Sequence, residues 1–321
     1  MERRPLGETG LVVSRIVLGC GNFGGIGSAP ELFGQGESPE EAFALMDAAW
    51  EAGINVFDTA ASYGGGRSES WVGAWRSERG APVVLSTKVY WSVTGDPADR
   101  GLGPDRILRE LDGSLGRLGV ERVDMYLTHE PDEETPIEET LRVLDEIVGA
   151  GRARAIGASN LDGAGLEEAL ETSARLGLAR YGWVQNEFSL LRREAEAEIL
   201  PICEREGLGF TPFSPLAGGW LTGKYRRGEA YPSGSRMTLR PDPYTDLVNE
   251  ETFDGLEAFA AAAGELGVEP ATLAVAWVLG HPQVTAVVVG PRRPEQLATA
   301  VAATELELTA EQRDELARMF A

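Results

Sequence analysis

Two runs typical of buried strands lie between residues 83 and 129: Val83-Val-Leu-Ser-Thr-Lys88 and Val123-Asp-Met-Tyr-Leu-Thr128. A longer amphipathic stretch, Asp105–Leu118, separates them and ends before Gly119, a residue that commonly terminates a helix. The connection between the two strands is long enough for a parallel crossover. This stretch therefore predicts one β-α-β unit, from which the rest of the fold can be extended in both directions.

The same alternation continues along almost the whole chain. Strands are predicted near Ile16–Leu18, Asn55–Asp58, Val83–Lys88, Val123–Thr128, Ala153–Ala158, Gly182–Gln185, Gly209–Phe213 and Val284–Val289. Helical patterns lie at Pro39–Ala52, Ser68–Glu78, Asp105–Leu118, Ile137–Ala150, Leu166–Leu176, Glu251–Leu266, Ala271–Leu279 and Thr309–Phe320. This order predicts a parallel sheet of eight strands with helices outside it.

One domain is predicted, although 321 residues could also form two domains of average size. No linker rich in Pro, Gly or Ser divides the chain, and the one long irregular stretch, 216–249, follows the seventh strand, as a functional loop would. We therefore expect residues 1–321 to form an α/β fold, a (β/α)8 TIM barrel with an N-terminal extension and a C-terminal helix.

Charge and composition argue against several classes of partner. The formal net charge of −22, from 51 acidic and 29 basic residues, repels nucleic acids and anionic membranes. No apolar run approaches the roughly 18 residues that span a bilayer. Residues 1–7 lack the apolar segment of an export signal, and Cys20 and Cys203 form no paired motif, so a cytoplasmic location with two ordinary buried cysteines is expected.

The run Gly19-Cys-Gly-Asn-Phe-Gly24 matches the glycine pattern of dinucleotide-binding Rossmann folds. That motif requires a helix to open at once, so that its N-terminus meets the pyrophosphate. Here Gly25, Gly27 and Pro30 follow, and helix is predicted only from Pro39. A Rossmann fold is therefore rejected, and the glycines are expected to form the first loop at the barrel mouth, where they make turns or contact a ligand.

Polar side chains end most of the predicted strands. The C-terminal ends of barrel strands converge on one face, so residues far apart in sequence become neighbours there. The residues at these ends are Asp58, Lys88, His129, Ser159, Asn160, Gln185 and Ser214, with Gly290 after the last strand. Alternation along a strand further predicts that Val56, Ser86 and Leu127 point inward, whereas Phe57, Thr87 and Thr128 face the helices.

Seven ordered blocks of the sequence resemble the aldo-keto reductase family. They are Asn55-Val-Phe-Asp-Thr-Ala-Ala-Ser-Tyr63 with Gly64 to Gly73, Ser86-Thr-Lys88, Leu127-Thr-His129, Ala155-Ile-Gly-Ala-Ser-Asn160, Gln185-Asn-Glu187, Phe213-Ser-Pro-Leu216 through Gly223-Lys-Tyr225, and Gly290-Pro-Arg-Arg-Pro-Glu-Gln296. Together they cover nearly the whole chain. The resemblance implies a barrel oxidoreductase that reduces small aldehydes or ketones with a nicotinamide cofactor.

Four residues receive catalytic roles from this resemblance: Tyr63 as general acid, Lys88 as its cationic neighbour, Asp58 as the counter-ion of Lys88, and His129 as the group that orients the carbonyl. Hydride addition leaves negative charge on the carbonyl oxygen, so a proton donor must lie within hydrogen-bonding reach. Tyrosine has a pKa of about 10, and a neighbouring ammonium is expected to lower it. A neutral His129 would donate one N–H.

The resemblance also implies a cofactor site. It assigns Ser159, Asn160 and Gln185 to the nicotinamide amide, Phe213 to the ring face, and Ser214, Leu216, Gly218 and Lys224 to the pyrophosphate. Gly290 and Gln296, in the last block, are also assigned to cofactor binding. Arg292 and Arg293 precede Pro294 at a predicted helix start, where guanidinium and N–H groups together favour a 2′-phosphate. NADPH is therefore the predicted cofactor, with NADH as the alternative.

Some positions leave alternatives open. Thr299-Ala300 stands where the family often has Glu-Asn, so the adenine contacts are not predicted. Glu130 makes the mouth more acidic than in many relatives, and Phe23, Trp91 and Trp220 are candidates for apolar walls or for loop core. The physiological substrate and the oligomeric state are also left open.

Two other functions fit the same residues. Lys88 could act as a Schiff-base nucleophile of a barrel lyase, although pairing with Asp58 argues against it because a charged ammonium is a poor nucleophile. The chain could instead be an NADPH-binding redox sensor or regulatory subunit. A metal site is not predicted, because the two histidines, His129 and His281, lie far apart and form no ligand motif.

Overall fold

The computed structural model describes residues 1–320 of the chain. A short antiparallel hairpin comes first, formed by β1 (Arg3–Pro5) and β2 (Val12–Ser14). Its apolar residues Leu6, Leu11 and Val13 pack with side chains inside the barrel. The predicted N-terminal extension is thus a hairpin that covers the barrel interior. The sequence did not predict this hairpin, because its strands have only three residues each.

Eight parallel strands follow and form one sheet. They are β3 (Ile16–Gly19), β4 (Val56–Asp58), β5 (Val84–Val89), β6 (Val123–Thr128), β7 (Ala153–Ser159), β8 (Trp183–Gln185), β9 (Gly209–Phe210) and β10 (Val287–Val289). Each strand pairs with the next from β3 to β9, and β10 pairs with β3. The N–H groups of Thr285 and Val288 donate to the carbonyls of Phe210 and Pro212, at 2.9 and 2.8 Å, and join the two ends of the sheet into the predicted (β/α)8 barrel.

Helices surround the sheet. They are α1 (Pro39–Glu51), α2 (Arg67–Arg79), α3 (Pro104–Leu118), α4 (Ile137–Gly149), α5 (Gly163–Leu176), α6 (Glu194–Glu198), α7 (Leu200–Glu206), α8 (Arg236–Leu239), α9 (Glu250–Glu265), α10 (Pro270–Leu279), α11 (Pro294–Ala302) and α12 (Ala310–Arg318). Within residues 1–320 no single helix is long and apolar enough to cross a bilayer. Helices α9 and α10 together meet that test of length and composition, with a bend of 91° between them.

The predicted alternation of side chains is confirmed. Val56 and Leu127 belong to the apolar cluster inside the barrel, whereas Phe57 packs outward against Trp75 of α2 at a centroid distance of 5.0 Å. The Thr87 hydroxyl likewise faces outward and donates to Glu69 of α2 at 2.5 Å. Inward positions at the ends of β4, β5 and β6 therefore belong to Asp58, Lys88 and the residue after β6, His129.

Two predicted strands are shorter than expected. The seventh ends at Phe210 because Pro212 cannot donate to a ladder and Ser214 has a left-handed backbone, with φ +56°. The eighth begins only at Val287.

Helix α1 starts at Pro39, and its first turn is closed by a capping box between Ser38 and Glu41. No helix therefore opens directly after the run Gly19–Gly24, in agreement with the rejection of a Rossmann fold. Both cysteines are buried and free, as predicted.

Candidate functional site

A cavity of about 1250 Å³ opens at the C-terminal ends of the barrel strands. Most side chains predicted for the site line it: Asp58, Tyr63, Trp91, His129, Glu130, Ser159, Asn160, Gln185, Phe213, Ser214, Leu216, Gly218, Lys224, Gly290, Arg292 and Gln296. Lys88 lies just beneath the cavity wall and is 1% exposed. The barrel topology therefore gathers residues from seven predicted blocks around one cavity.

Asp58 and Lys88 form a buried ion pair at the floor of this cavity. Lys88 Nζ lies 2.5 Å from Asp58 Oδ2 and donates a second hydrogen bond to the Thr59 carbonyl at 2.9 Å. The hydroxyl of Ser86 donates to the other Asp58 oxygen at 2.6 Å, and Gln185 Nε2 donates to the same atom at 3.4 Å. Neighbours on β5 and β8 thus satisfy the carboxylate that balances the ammonium.

Tyr63 lies between this ion pair and His129. Its ring centroid is 5.1 Å from Lys88 Nζ, and its hydroxyl oxygen is 3.4 Å from His129 Nε2. Tyr63 starts a turn that passes close to the first loop, because a Cβ on Gly64, at φ +58°, would come within 2.5 Å of the Phe23 carbonyl oxygen. A glycine after Tyr63 is therefore required for the close approach that holds the tyrosine at the cavity wall. We call Asp58, Tyr63, Lys88 and His129 the mouth cluster.

Electrostatics in the mouth cluster agree with two of the expected protonation states and correct a third expectation. Burial tends to lower the pKa of Lys88, but Asp58 and Tyr63 outweigh it and the net shift is upward, so the ammonium stays charged. Burial, with Lys88, holds the pKa of His129 well below 6.5, so its ring is neutral. Burial also raises the pKa of Tyr63, and Lys88 opposes this only in part. The expected net lowering of the Tyr63 pKa is therefore wrong: the phenol is held protonated.

A second group of polar residues follows the ends of β7 and β8. The Ser159 hydroxyl donates to the Gln185 carbonyl at 2.6 Å, and Asn160 Nδ2 donates to the His129 carbonyl at 2.9 Å and to Glu130 at 3.2 Å. Phe213 is half-buried above the apolar barrel interior. These contacts fix amide and aromatic groups beside the mouth cluster.

Backbone strain is concentrated at the same end of the barrel. Within residues 1–320, three residues other than glycine have a positive φ: Asn160 at 59°, Ser214 at 56° and Ala217 at 45°. Such conformations cost free energy and persist only where the surrounding structure imposes them. All three lie at the cavity or directly beside it, so the strain is concentrated in the segments that carry the candidate site residues.

Positive charge gathers at the other end of the cavity. We call Lys224, Arg236 and Arg292 the cation cluster. Burial lowers the pKa of Lys224, and Arg236 and Arg292 lower it further; the pKa of Arg236 is lowered by its burial and by Arg240 and Arg292. Cations held against mutual repulsion, in a chain of net charge −22, fit the phosphates of an anionic cofactor. The buried Ser235 hydroxyl also lines this end and has no partner within residues 1–320.

Of the three aromatic residues that could form apolar walls or loop core, Phe23 and Trp220 belong to the core. Phe23 is 1% exposed and Trp220 is fully buried, and both belong to the main apolar core rather than to the cavity lining. Trp220 packs against Tyr225 and Phe253, with centroids 5.1 and 5.6 Å away. Both aromatic side chains therefore hold loops together from inside, whereas Trp91 does line the cavity.

The sequence did not single out Arg236 or Glu37. Both line the cavity, Arg236 in the long loop after β9 and Glu37 in the loop after β3. Arg236 opens the four-residue helix α8 in a stretch without periodicity, and Glu37 is one of many acidic residues. Their only sequence signal is their position in loops that follow barrel strands, where ligand-binding residues concentrate.

No group of three or more potential metal ligands occurs within residues 1–320. Two groups of titratable residues stand out at the cavity instead, the mouth cluster and the cation cluster. One can transfer and stabilise a proton, and the other can hold phosphate. This combination is the one expected of a site for hydride transfer from a dinucleotide.

Comparisons with known proteins agree with this geometry. The model of the Aldo/keto reductase family matches residues 15–320. The chain is 38% identical to "Uncharacterized oxidoreductase YrpG" of Bacillus subtilis (strain 168), over 97% of this chain and 93% of that protein. It is 34% identical to "Versiconal hemiacetal acetate reductase" of Aspergillus parasiticus, over 97% and 95%.

A third relative has a different kind of name. The chain is 37% identical to a "Probable voltage-gated potassium channel subunit beta" of Oryza sativa subsp. japonica, over 92% of this chain and 89% of that protein. Family members are oxidoreductases that generally use NADH or NADPH. With a family match across nearly its whole length, this chain belongs to the aldo/keto reductase family.

Proposed function

We propose that this protein reduces an aldehyde or ketone to the alcohol with NADPH, and that Tyr63 is the general acid. The observation that carries the proposal is the mouth cluster: a protonated phenol lies 3.4 Å from a neutral imidazole nitrogen, above a buried Lys88–Asp58 ion pair. The cluster opens into a cavity whose far end is cationic. A small carbonyl compound at the mouth would meet two hydrogen-bond donors, the Tyr63 hydroxyl and the His129 imidazole.

Hydride transfer from NADPH would leave negative charge on the carbonyl oxygen. Tyr63 donates its hydroxyl proton to that oxygen, and the ammonium of Lys88, 5.1 Å from the tyrosine ring, stabilises the phenolate that forms. Asp58 keeps Lys88 charged. His129, with Nε2 on the Tyr63 side, orients the carbonyl through an N–H. The ion pair thus assists the reaction by stabilising the phenolate after Tyr63 has given up its proton, and not by deprotonating Tyr63 beforehand.

Residues along the cavity support the cofactor assignment. The cation cluster would hold the phosphates, with Arg292 at the 2′-phosphate and Lys224, Ser214, Leu216 and Gly218 along the pyrophosphate. At the other end, Ser159, Asn160 and Gln185 would bind the nicotinamide amide and Phe213 would contact its ring. Gly290 and Gln296 line the same cavity. The preference for NADPH rests on Arg292, because NADH lacks the 2′-phosphate.

Substitution of Tyr63 by Phe tests the mechanism. Tyr63→Phe removes the proton donor and keeps the ring, so we expect NADPH oxidation with an aldehyde panel to fall by roughly 10²–10⁴-fold. Cofactor binding, followed by fluorescence titration, should be unchanged. Tyr90→Phe is the control, because Tyr90 lies outside the cavity lining. Wild-type turnover in Tyr63→Phe would overturn the mechanism.

A second candidate function comes from the relatives named as potassium channel β subunits. The chain would then bind NADPH chiefly as a redox sensor or regulatory subunit. Single-turnover kinetics separate the two functions: a sensor binds NADPH tightly and transfers hydride to no member of the aldehyde panel at a useful rate. Turnover lost in Tyr63→Phe favours the reductase.

The lyase alternative is disfavoured by the geometry. Lys88 is 1% exposed, and its Nζ is occupied by Asp58 and the Thr59 carbonyl. Asp58 and Tyr63 raise its pKa. A Schiff base needs an uncharged, accessible amine. Failure of borohydride to trap a carbonyl adduct on Lys88 is the expected result.

A further inference from the structure

A buried carboxylate is paired with Arg292 at the candidate 2′-phosphate site. Glu37 Oε1 accepts a hydrogen bond from Arg292 Nε at 2.6 Å, although the two residues lie 255 positions apart in sequence. The Glu37 side chain is 2% exposed, whereas that of Arg292 is 42% exposed. The guanidinium that faces the cofactor cavity is therefore already paired with an anion from below.

The position of Glu37 is fixed by its backbone. Its N–H donates to the Asn22 carbonyl at 2.9 Å, and its carbonyl accepts from the Gly24 N–H at 3.1 Å. At the preceding Gly36, a Cβ would come within 1.9 Å of the Asn22 carbonyl oxygen, so the two segments of the loop are in direct contact. This backbone pairing fixes the point from which the Glu37 side chain extends towards Arg292.

The remaining oxygen of Glu37 is unusual. Oε2 is buried and has no hydrogen-bond partner within residues 1–320. Arg292 is held in turn by the Gly234 carbonyl, which accepts from Nη1 at 3.1 Å, and by Gln296 Oε1, which accepts from its backbone N–H at 2.8 Å. A buried carboxylate with one unsatisfied oxygen thus lies against a cation that is itself held in place.

We infer that Glu37 is a specificity-determining residue of the cofactor site, and that it weakens the preference for NADPH over NADH by neutralising Arg292. The inference rests on the proposed function, in which Arg292 meets the 2′-phosphate. A phosphate drawn to Arg292 also approaches the negative charge of Glu37, which opposes its binding. NADH carries no charge at that position, so its affinity is insensitive to Glu37.

A charge-neutral variant tests this inference by binding alone. Glu37→Gln keeps the size of the side chain and removes its charge, so we expect the dissociation constant of NADPH to fall roughly tenfold while that of NADH stays constant. Glu41→Gln is the matched control: Glu41 lines the same cavity and makes no ion pair with Arg292, and glutamine preserves its capping box with Ser38. Fluorescence titration of all three proteins with both cofactors gives the ratio of affinities.

A second background separates Glu37 from general electrostatics. In Arg292→Ala, addition of Glu37→Gln should raise the preference for NADPH over NADH by less than it does in wild type if Glu37 acts through Arg292. Binding of 2′,5′-ADP and 5′-AMP gives the same comparison without the nicotinamide. If Glu37→Gln does not fold, Glu37→Ala removes the same charge, and the ratio is expected to change in the same direction.

The outcomes are distinguishable. An unchanged ratio in Glu37→Gln, or weaker NADPH binding because Glu37 serves to orient Arg292, overturns the inference and leaves the proposed function standing. An equal response in Glu41→Gln overturns it as well, since the effect would then come from net charge. Wild-type protein that binds neither cofactor defeats the proposed function itself.

Discussion

Lys88 Nζ lies 2.5 Å from Asp58 Oδ2 at the floor of the cavity, and both side chains are almost fully buried. The pair joins the ends of two neighbouring strands, β4 and β5. Its hydrogen bonds to Ser86 and Thr59 compensate much of the cost of burying two charges. The pair is therefore both part of the candidate mechanism and a stability element.

Asp58→Asn is expected to impair both stability and turnover. It leaves the Lys88 ammonium buried without its counter-ion, so we expect a loss of about 3–5 kcal/mol in the free energy of unfolding, together with a large loss of turnover. Denaturant titration measures the first effect. Glu138→Gln breaks a solvent-exposed pair with Arg142 and should change little. Equal stability losses in the two variants would contradict a buried, strongly coupled pair.

Carbonyl reduction should have a simple pH dependence. Tyr63 must be protonated to act as an acid, and burial raises its pKa above 10, so the rate is expected to stay constant through neutral pH and to fall only as the phenol ionises. His129 stays neutral because its pKa lies well below 6.5. Steady-state kinetics between pH 6 and 9 should therefore show no inflection near 6.5; one there would show that His129 titrates.

Stability should respond to acid through His281, which lies outside the site. Burial lowers its pKa from 6.5 to about 4, so the unfolded chain takes up the proton first and stability is lost as pH falls from about 6.5 towards 4. Melting temperatures of wild type and His281→Gln, compared between pH 7 and pH 5, test the sign. The variant should lose less stability than wild type over this range. A larger loss would reverse the assigned shift.

Two arginines of the cation cluster should differ in their selectivity. Arg236→Ala is expected to weaken NADPH and NADH alike, by roughly tenfold, if Arg236 serves phosphates common to both. Arg292→Ala should weaken NADPH by a similar factor and leave NADH unchanged. Fluorescence titration distinguishes the patterns. If Arg292→Ala affects both cofactors equally, Arg292 does not serve the 2′-phosphate.

Two tryptophans offer a contrast between cavity and core. Trp91→Ala should raise KM for aromatic aldehydes with little effect on stability, because Trp91 lines the cavity and is half-buried. Trp220→Ala should cost about 3–5 kcal/mol of unfolding free energy through the void it leaves, with KM unchanged in the folded fraction. A raised KM in Trp220→Ala without a loss of stability would show instead that Trp220 contacts the substrate.

Much of the fold follows from local signals in the sequence. The periodicities of 83–128 predicted a strand, a helix and a strand, and the structure has β5, α3 and β6 within one residue of the predicted limits. The shorter strands near Phe210 and Val287 were less predictable. Their ends depend on how the sheet closes, through hydrogen bonds between residues more than seventy positions apart.

The sequence by itself determined the barrel, the family and the order of polar residues at the strand ends, because these depend on local period and on which residue types follow one another. Only the tertiary structure decided which side chains share an environment. It buried Phe23 and Trp220, raised the pKa of Tyr63 where an ammonium alone would have lowered it, and placed Glu37 against Arg292. Desolvation and contacts between distant residues set these properties, and neither exists until the chain has closed on itself.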